Sequence, residues 1–330
     1  MLRKMWRFAS IKTLALMIGA LFLIGSSTGF GQSATGYPTK PIRMILPFAG
    51  GGDPLARHLV PILNEALGQN VYVEIITGGQ TIVGTEAAAR ATGDGHTILM
   101  ITNSVSINHT LRRDLRYDLY RDFVPITQLC TFALVLVTNP ALPATTLTEL
   151  IAVAKAKPGS LAYGSAGPIY QLPMELLKSM AGIDILFVPY KASPQIRLDL
   201  ISGQLQVTID GLTTMLPHIR ANKVRGIAVA GAKRSAVAPD LPTIDEAGLP
   251  GFEGDGWLGF LAPAGTPPEA VNRLQAEIAK ALVRPALAKI YRDLGNEPIA
   301  STPAEFGAFL KRDVEKWAKV IRDSGAKPAE

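Results

Sequence analysis

Short apolar runs alternate along the chain with segments whose apolar residues recur every three or four positions. The runs IRMILPF, VYVEII and HTILMIT are typical of buried strands, and LARHLVPILNEALG and GTEAAARA between them are typical of helices. The alternation continues through FALVLVTN, LTELIAVAKAKPG, LAYGS, YQLPMELLKSMAG, DILFVPY, PQIRLDLISGQ, LQVTIDG and VRGIAVAG. This rhythm predicts an α/β protein with a mostly parallel sheet covered by helices.

The pattern changes after Gly231. The stretch APDLPTIDEAGLPGFEGDG is rich in Pro, Gly and Asp, and one strand pattern, WLGFLAPAG, precedes long helical patterns that reach the C-terminus. A region with a single strand cannot form a sheet of its own, so we predict that it packs back onto the first domain. A chain of 330 residues is long enough for two compact units.

The N-terminus has the order of a secretory signal. Basic residues come first, an apolar run follows, and small residues end the segment, with a plausible cleavage site after Gly31. The alternative is a membrane anchor, which would need about 20 uninterrupted apolar residues, and Lys12 interrupts this run. We therefore predict a signal peptide over residues 1–31 and an exported protein, located in the periplasm of a Gram-negative host.

Removal of the signal changes the charge of the protein. The segment carries Arg3, Lys4, Arg7 and Lys12 and no acidic residue, so the formal net charge falls from +6 to +2. No run of Lys and Arg with interleaved aromatic residues occurs, and we predict no nucleic-acid partner. The single cysteine, Cys130, cannot form an intramolecular disulfide and lies in an apolar run, which favours a buried, inert thiol.

The stretch ILPFAGGGDPLARHL joins a strand pattern to a helix through three glycines. Asp53 is a good N-cap and Pro54 suits the first helical position, so the helix is predicted to begin there. Its free backbone amides, beside Gly50, Gly51 and Gly52, could receive a carboxylate or a phosphate. The glycine spacing of a dinucleotide-binding turn and the Lys-Ser/Thr pair of a P-loop are both missing. A tight turn without a ligand remains the alternative.

A second strand, LAYGS, also leads through small residues into a helix, and it places Ser165 and Gly167 at its carboxyl end. Ligands of open α/β sheets bind at such ends, so two similar loops could face one cleft. A catalytic serine is disfavoured, because Tyr163 stands where the nucleophile-elbow motif needs glycine. The four histidines show no metal-ligand spacing. We therefore predict neither catalysis nor a metal nor a cofactor.

The order of these segments resembles the Bug family, the periplasmic solute receptors of tripartite tricarboxylate transporters. The resemblance runs through the whole mature chain, on YPTKPIRMILPFAGGG, LGQNVYVE, ATGDGHTILM, LAYGSAG, FVPYKAS, ISGQLQVTIDG and GFLAPAGTP. It implies a two-lobed periplasmic binding protein of the type II (Venus-flytrap) class, with two crossover strands, that closes around a carboxylate. The expected lobes are residues 37–127 with 231–330, and residues 128–230.

The resemblance also implies roles for particular residues. Phe48 would be a pocket wall, the three glycines the amide cradle, and Asp53 the acid that opens the helix. Ser165 and Gly167 would supply the facing loop, and Tyr190 and Asp210 would lie near the cleft mouth. Tyr190 and Asp210 have a structural alternative, as an edge aromatic and a strand-end cap.

Three functions remain open on the sequence alone. The first is a monomeric transport receptor that delivers an organic carboxylate to membrane permease subunits, and the second is a receptor that presents its ligand to a membrane signalling protein. The third is an exported α/β enzyme, for which no nucleophile with a base is found. Both ligand loops are shorter than is usual in the family, and EIITGGQTIVG departs from its usual glycine-rich segment, so the ligand itself is not predicted.

Overall fold

The computed structural model describes residues 36–48, 52–191 and 193–327. The predicted signal peptide and two of the glycines of the first loop, Gly50 and Gly51, lie outside the described residues. Among the described residues, two connections carry the chain between two sheets, one after Phe132 and one after Val229. The protein is therefore two-lobed, and each lobe consists of one sheet and the helices packed on it.

The first sheet contains six strands in the order β11-β4-β10-β3-β1-β2. Their bounds are β1 Ile42–Leu46, β2 Val71–Ile75, β3 Thr97–Thr102, β4 Phe123–Phe132, β10 Gly256–Pro263 and β11 Asn296–Pro298. Strands β1, β2 and β3 are parallel, whereas β10 runs antiparallel to both β3 and β4, and β11 antiparallel to β4.

The second sheet contains five strands in the order β7-β6-β8-β5-β9. Their bounds are β5 Leu134–Thr138, β6 Ala162–Ser165, β7 Leu186–Pro189, β8 Val207–Gly211 and β9 Arg225–Val229. Strands β6, β7 and β8 are parallel, and β5 runs antiparallel to β8 and β9. The two sheets thus repeat one plan, a parallel triple extended by antiparallel strands.

Ten α-helices cover these sheets in the described part of the chain. Their bounds are α1 Gly52–Leu67, α2 Ile82–Ala89, α3 Ser104–Leu111, α4 Leu147–Ala156, α5 Pro168–Ala181, α6 Ser193–Ser202, α7 Leu212–Arg220, α8 Pro268–Leu282, α9 Pro285–Asp293 and α10 Pro303–Ser324. A single 3₁₀ turn, Gly79–Thr81, precedes α2.

The core follows from the two periodicities of the sequence. In β1, Met44 packs on one face of the first sheet with α1, α8 and α9, and Ile45 packs on the other face with α10. Helix α1 buries Leu55, Leu59 and Leu63, a stripe spaced for one helical face.

The fold confirms most of the predicted elements and corrects two statements. The sheets are mixed rather than mostly parallel, because β10 runs antiparallel to β3 and β4 in the first sheet and β5 runs antiparallel to β8 and β9 in the second. Helix α1 begins at Gly52, so Asp53 is not its cap but lies in its first turn, where it pairs with Arg57 one turn later. From β10 onward the C-terminal region packs onto the first sheet, as predicted, whereas Ile244, Leu249 and Phe252 of the preceding segment pack in the core of the second lobe.

The predicted burial of the cysteine is also confirmed. Cys130 lies on β4 with no exposed surface, and burial raises the pKa of its thiol. None of the helices in the described ranges has the length and apolar character that crossing a membrane requires.

Candidate functional site

A cleft of about 1040 Å³ is lined by residues of both lobes. Its walls follow the carboxyl ends of the three parallel strands in each sheet, which is where open α/β sheets bind their ligands. The first lobe contributes Phe48, Gly52, Pro54, Gln80, Thr81, Thr102 and Ser104. The second lobe contributes Ala166, Gly167, Pro168, Ile169, Tyr170, Lys191, Ser193, Gly211, Thr213 and Thr214, together with residues of α7.

The described residues that flank the first predicted glycine loop, Phe48 and Gly52, line this cleft together with Gly167 of the second loop. Gly52 lies at the start of α1, and Gly167 caps the start of α5, so both helices direct their N-terminal ends toward the loops that line it. Free backbone N–H groups and the positive end of the helix dipole make such ends favourable for an anion. Phe48 is a wall of the cleft.

The two glycines differ in their surroundings. A Cβ built at Gly52 would overlap the Phe48 ring and lie 3.2 Å from the Met100 Sδ atom. A Cβ at Gly167 would meet no atom within 4 Å, and the backbone there is extended, a conformation open to any residue. Gly52 is therefore closely packed, whereas Gly167 borders open space.

Ser165 does not line the cleft. Its side chain is buried, its hydroxyl donates to the Gly167 carbonyl oxygen at 2.8 Å, and it accepts from the Gly167 amide at 3.3 Å. Both hydrogen bonds join residues of the same loop. It holds the backbone that leads from β6 into α5.

Tyr190 and Asp210 also lie behind the cleft surface. The Tyr190 hydroxyl donates to the Asp199 carboxylate at 2.6 Å, and burial together with this bond raises the pKa of Tyr190 to about 12. Asp210 is buried and pairs with Arg197 of α6 at 3.2 Å. Burial raises the pKa of Asp210 because the loss of hydration outweighs the attraction of Arg197. Both residues tie α6 to the second sheet.

Several cleft residues were not identified from the sequence. Gln80, Thr81 and Ser104 follow β2 and β3, and Thr213 and Thr214 follow β8. The signal was available, since each of these strands was predicted and its carboxyl end is the expected site of a ligand. Side chains in such loops have no periodic pattern, so only their position after a strand marks them.

Charged side chains are few in the cleft. In the described part of the chain, its charged lining residues are Lys191 and Arg220 of the second lobe and Asp293 at the end of α9. No group of three or more His, Cys, Asp or Glu side chains in that part could hold a metal ion.

Two α/β lobes that enclose a cleft at the carboxyl ends of their strands define a protein of the solute-binding class. Residues 55–326 match the tripartite tricarboxylate transporter family receptor (TctC). The chain is 34% identical to Protein BugT of Bordetella pertussis, over 96% of this chain and 98% of that one. It therefore belongs to the family of tripartite tricarboxylate transporter receptors, as the Bug resemblance implied.

Solved structures agree with this assignment. The protein Rpa4515 of R. palustris, solved with adipate, is 32% identical, with a TM-score of 0.79 over 89% of this chain and 100% of that one. The periplasmic binding protein BugD is 31% identical, with a TM-score of 0.76 over 88% of this chain and 99% of that one.

Proposed function

We propose that this protein captures a small organic carboxylate in its cleft and delivers it to the membrane permease subunits of a tripartite transporter. It acts in the periplasm as a monomer, by binding and without catalysis. The observation that carries the proposal is that two helix N-termini, of α1 at Gly52 and of α5 after Gly167, line one cleft. A similar chain, Rpa4515, has been solved with the dicarboxylate adipate.

The carboxylate is held mainly by backbone amides in this proposal. Gly50, Gly51 and Gly52 on one side and Gly167 on the other let its oxygens reach the amides, because no side chain obstructs them. Lys191 and Arg220, both exposed residues of the cleft lining, add positive charge. Phe48 packs against the carbon chain of the ligand.

The remaining predicted site residues act behind the surface. Ser165 holds the loop of Gly167, and Tyr190 and Asp210 fix α6 next to the second-lobe loops. Asp53 is engaged by Arg57 and keeps the first turn of α1 acidic. An acid there favours the helix but repels an anion, so we propose that Asp53 does not contact the carboxylate.

A thermal-shift screen of the mature protein tests the proposal. A ligand present at about one hundred times its dissociation constant stabilises the folded state by roughly 2.7 kcal/mol. We expect one or a few acids among mono-, di- and tricarboxylates to raise the melting temperature, and their methyl esters to leave it unchanged. The same acid is expected to lower the radius of gyration as the lobes close. Equal shifts from acid and ester would refute carboxylate recognition.

The substitution Gly167→Val tests whether the carboxylate binds at this loop. The new side chain enters open space, so the ligand-free protein keeps its melting temperature, but the branched group obstructs the amide and lowers the affinity for the identified acid at least tenfold. Gly36→Val is the matched control, because a Cβ at Gly36 also meets no atom within 4 Å and Gly36 lies outside the cleft. Unchanged affinity of Gly167→Val in calorimetric titration would place the anion elsewhere.

A further inference from the structure

Four consecutive residues of the first-lobe wall have positive φ. Gly78 and Gly79 have φ of 133° and 54°, and Gln80 and Thr81 follow with φ of 55° and 83°. The conformation is unfavourable for a residue with a Cβ, and it is rarest for a β-branched residue such as threonine. Gln80 and Thr81 line the cleft. Strain of this kind persists only where the surrounding structure holds it.

Two side chains hold the strained turn. The Asn108 side-chain amide of α3 donates to the Gln80 carbonyl oxygen at 3.0 Å, and the Thr85 hydroxyl of α2 donates to the Thr81 carbonyl oxygen at 2.8 Å. The turn is thereby fixed to two helices of the first lobe. The side chain of Gln80 takes no part in this, and its Oε1 atom is buried without a hydrogen-bond partner among the described residues.

The loop after β3 extends the same wall. Thr102 and Ser104 line the cleft, and the Thr102 hydroxyl oxygen accepts from the Ser104 amide at 3.1 Å. Asn103, between them, is fully buried, and neither polar atom of its side chain has a partner in the described part of the chain. We call Gln80, Thr81, Thr102 and Ser104 the neutral wall, because none of them carries a charge.

The chemistry of the neutral wall selects the group that would bind there. A second carboxylate only accepts hydrogen bonds, so it could not satisfy the Gln80 amide oxygen, and this wall has no cation to offset its lost hydration, since Lys191 and Arg220 belong to the second lobe. An alkyl end would leave the Gln80 amide oxygen without a donor. A hydroxyl both donates and accepts, so it can donate to that oxygen once the Gln80 side chain turns it toward the cleft, and it can accept from a hydroxyl of the wall at the same time.

We propose that the neutral wall is the subsite for a hydroxyl group of the ligand, which makes the preferred ligand a hydroxy-substituted monocarboxylate. The inference rests on the proposed function, because it assumes that the glycine loops hold the carboxylate. It adds Gln80 as the residue that determines specificity, and the strained turn fixes the Gln80 backbone at the wall of the cleft.

Calorimetric titration of the mature protein with matched acids tests the inference. Three scaffolds are compared, each with a hydroxyl, a hydrogen or a carboxylate at the distal end: 6-hydroxyhexanoate, hexanoate and adipate; 4-hydroxybutanoate, butanoate and succinate; 4-hydroxybenzoate, benzoate and terephthalate. On at least one scaffold we expect the hydroxy acid to bind at least tenfold more tightly than both partners. If the hydroxy acid has no such advantage on any scaffold, the inference is overturned.

Two substitutions of Gln80 distinguish its role in binding the ligand hydroxyl from the effect of its positive φ on stability. Gln80→Ala removes the amide and keeps the Cβ, so affinity for the hydroxy acid is expected to fall about 5- to 10-fold while affinity for the unsubstituted acid is unchanged. Gln80→Gly loses the same affinity, but its ligand-free melting temperature is expected to exceed that of Gln80→Ala by about 1–2 °C, because glycine accepts positive φ. Ala300→Gly, at φ 57° and outside the cleft, is the control that relieves strain without changing affinity.

The outcomes distinguish this inference from the proposed function. If acids bind and shift the melting temperature, but Gln80→Ala weakens the hydroxy and unsubstituted acids equally or not at all, the hydroxyl subsite is refuted and the receptor function stands. If neither this series nor the wider acid screen gives any binding, both fail.

Discussion

At the residue scale, adding a side chain would have different structural consequences at Gly52 and at Gly167. Gly52 is required by packing, since a Cβ would overlap the Phe48 ring, whereas Gly167 borders open space. A substitution at Gly52 would therefore disturb the wall of the cleft as well as the ligand. Of the two positions, only Gly167 can be substituted in a way that changes ligand affinity without changing stability, which is why the proposed test uses Gly167→Val.

Asp255 is a half-buried residue in the second connection between the lobes. It precedes β10, and a Cβ at Gly231, just after β9, would overlap its carboxylate. Its Oδ1 atom is buried with no hydrogen-bond partner among the described residues. The pKa of Asp255 is raised to about 7 because the loss of hydration, together with the nearby Glu253 carboxylate, outweighs the attraction of Lys316 of α10.

The raised pKa predicts a specific dependence of stability on pH. Between about pH 4 and 7 the folded state keeps a proton that the unfolded state releases, so the free energy of unfolding falls as pH rises through this range. Asp255→Asn removes this dependence and is expected to stabilise the protein at pH 8 by on the order of 2 kcal/mol, with little effect at pH 4. Urea denaturation of wild type and Asp255→Asn at several pH values measures the free energy of unfolding and its pH dependence.

Asp240→Asn provides the control for Asp255→Asn. Asp240 is an exposed carboxylate in the same connection, so its substitution should leave the pH dependence of the wild type unchanged. Parallel stability curves for wild type and Asp255→Asn would show that this carboxyl titrates normally.

At the scale of elements, α10 joins parts of both lobes. Its Trp317 and Val320 pack with Leu172 of α5 and with Ile107 of α3. On the same helix, Asp313 is buried and accepts the indole N–H of Trp257 on β10 and of Trp317, each at 3.1 Å. One carboxylate thereby ties the helix to the first residues of β10, directly after the second connection between the lobes.

Asp313→Leu tests this connection. Both indole N–H groups would be buried without an acceptor, and each costs about 1–3 kcal/mol, so we expect a loss of at least 2 kcal/mol in the free energy of unfolding. Asp313→Asn, which keeps one acceptor oxygen, is expected to lose less. The control is Asp323→Leu on the same helix, whose carboxylate forms a surface pair with Lys319 worth about 0.5 kcal/mol. Equal losses for Asp313→Leu and Asp323→Leu in urea denaturation would contradict the prediction.

At the scale of the whole molecule, the lobes are joined by two connections of different length. Ala133 alone separates β4 from β5, whereas a longer segment separates β9 from β10. The change of sheet therefore falls at Ala133 in the first connection. The lobe boundaries at residues 127/128 and 230/231 remain a prediction.

Export of the whole protein is a separate prediction. The first 31 residues, which lie outside the described part, are expected to be removed, because their basic, apolar and small-residue order is that of a signal peptide. N-terminal sequencing of the protein from the periplasmic fraction should begin near residue 32. An intact Met1 on membrane-bound protein would instead support an anchor.

The sequence by itself determined the local elements and the position of the cleft loops. Strand and helix have different periods, 2 and 3.6, so IRMILPF and LARHLVPILNEALG indicated β1 and α1 without tertiary information. Gly52 and Gly167 were found because each follows a predicted strand. The order of segments along the chain likewise identified the family.

Only the tertiary structure decided how these elements pair and which side chains face the cleft. Strand β10 runs antiparallel to its neighbours β3 and β4, which are distant in sequence, and no local period records the direction of such a pairing. Ser165, Tyr190 and Asp210 lie close to the cleft loops, yet they are turned to partners within their own lobe, whereas Gln80 lines the cleft. The direction of a loop side chain depends on the packing of distant segments, and short-range sequence patterns do not contain that information.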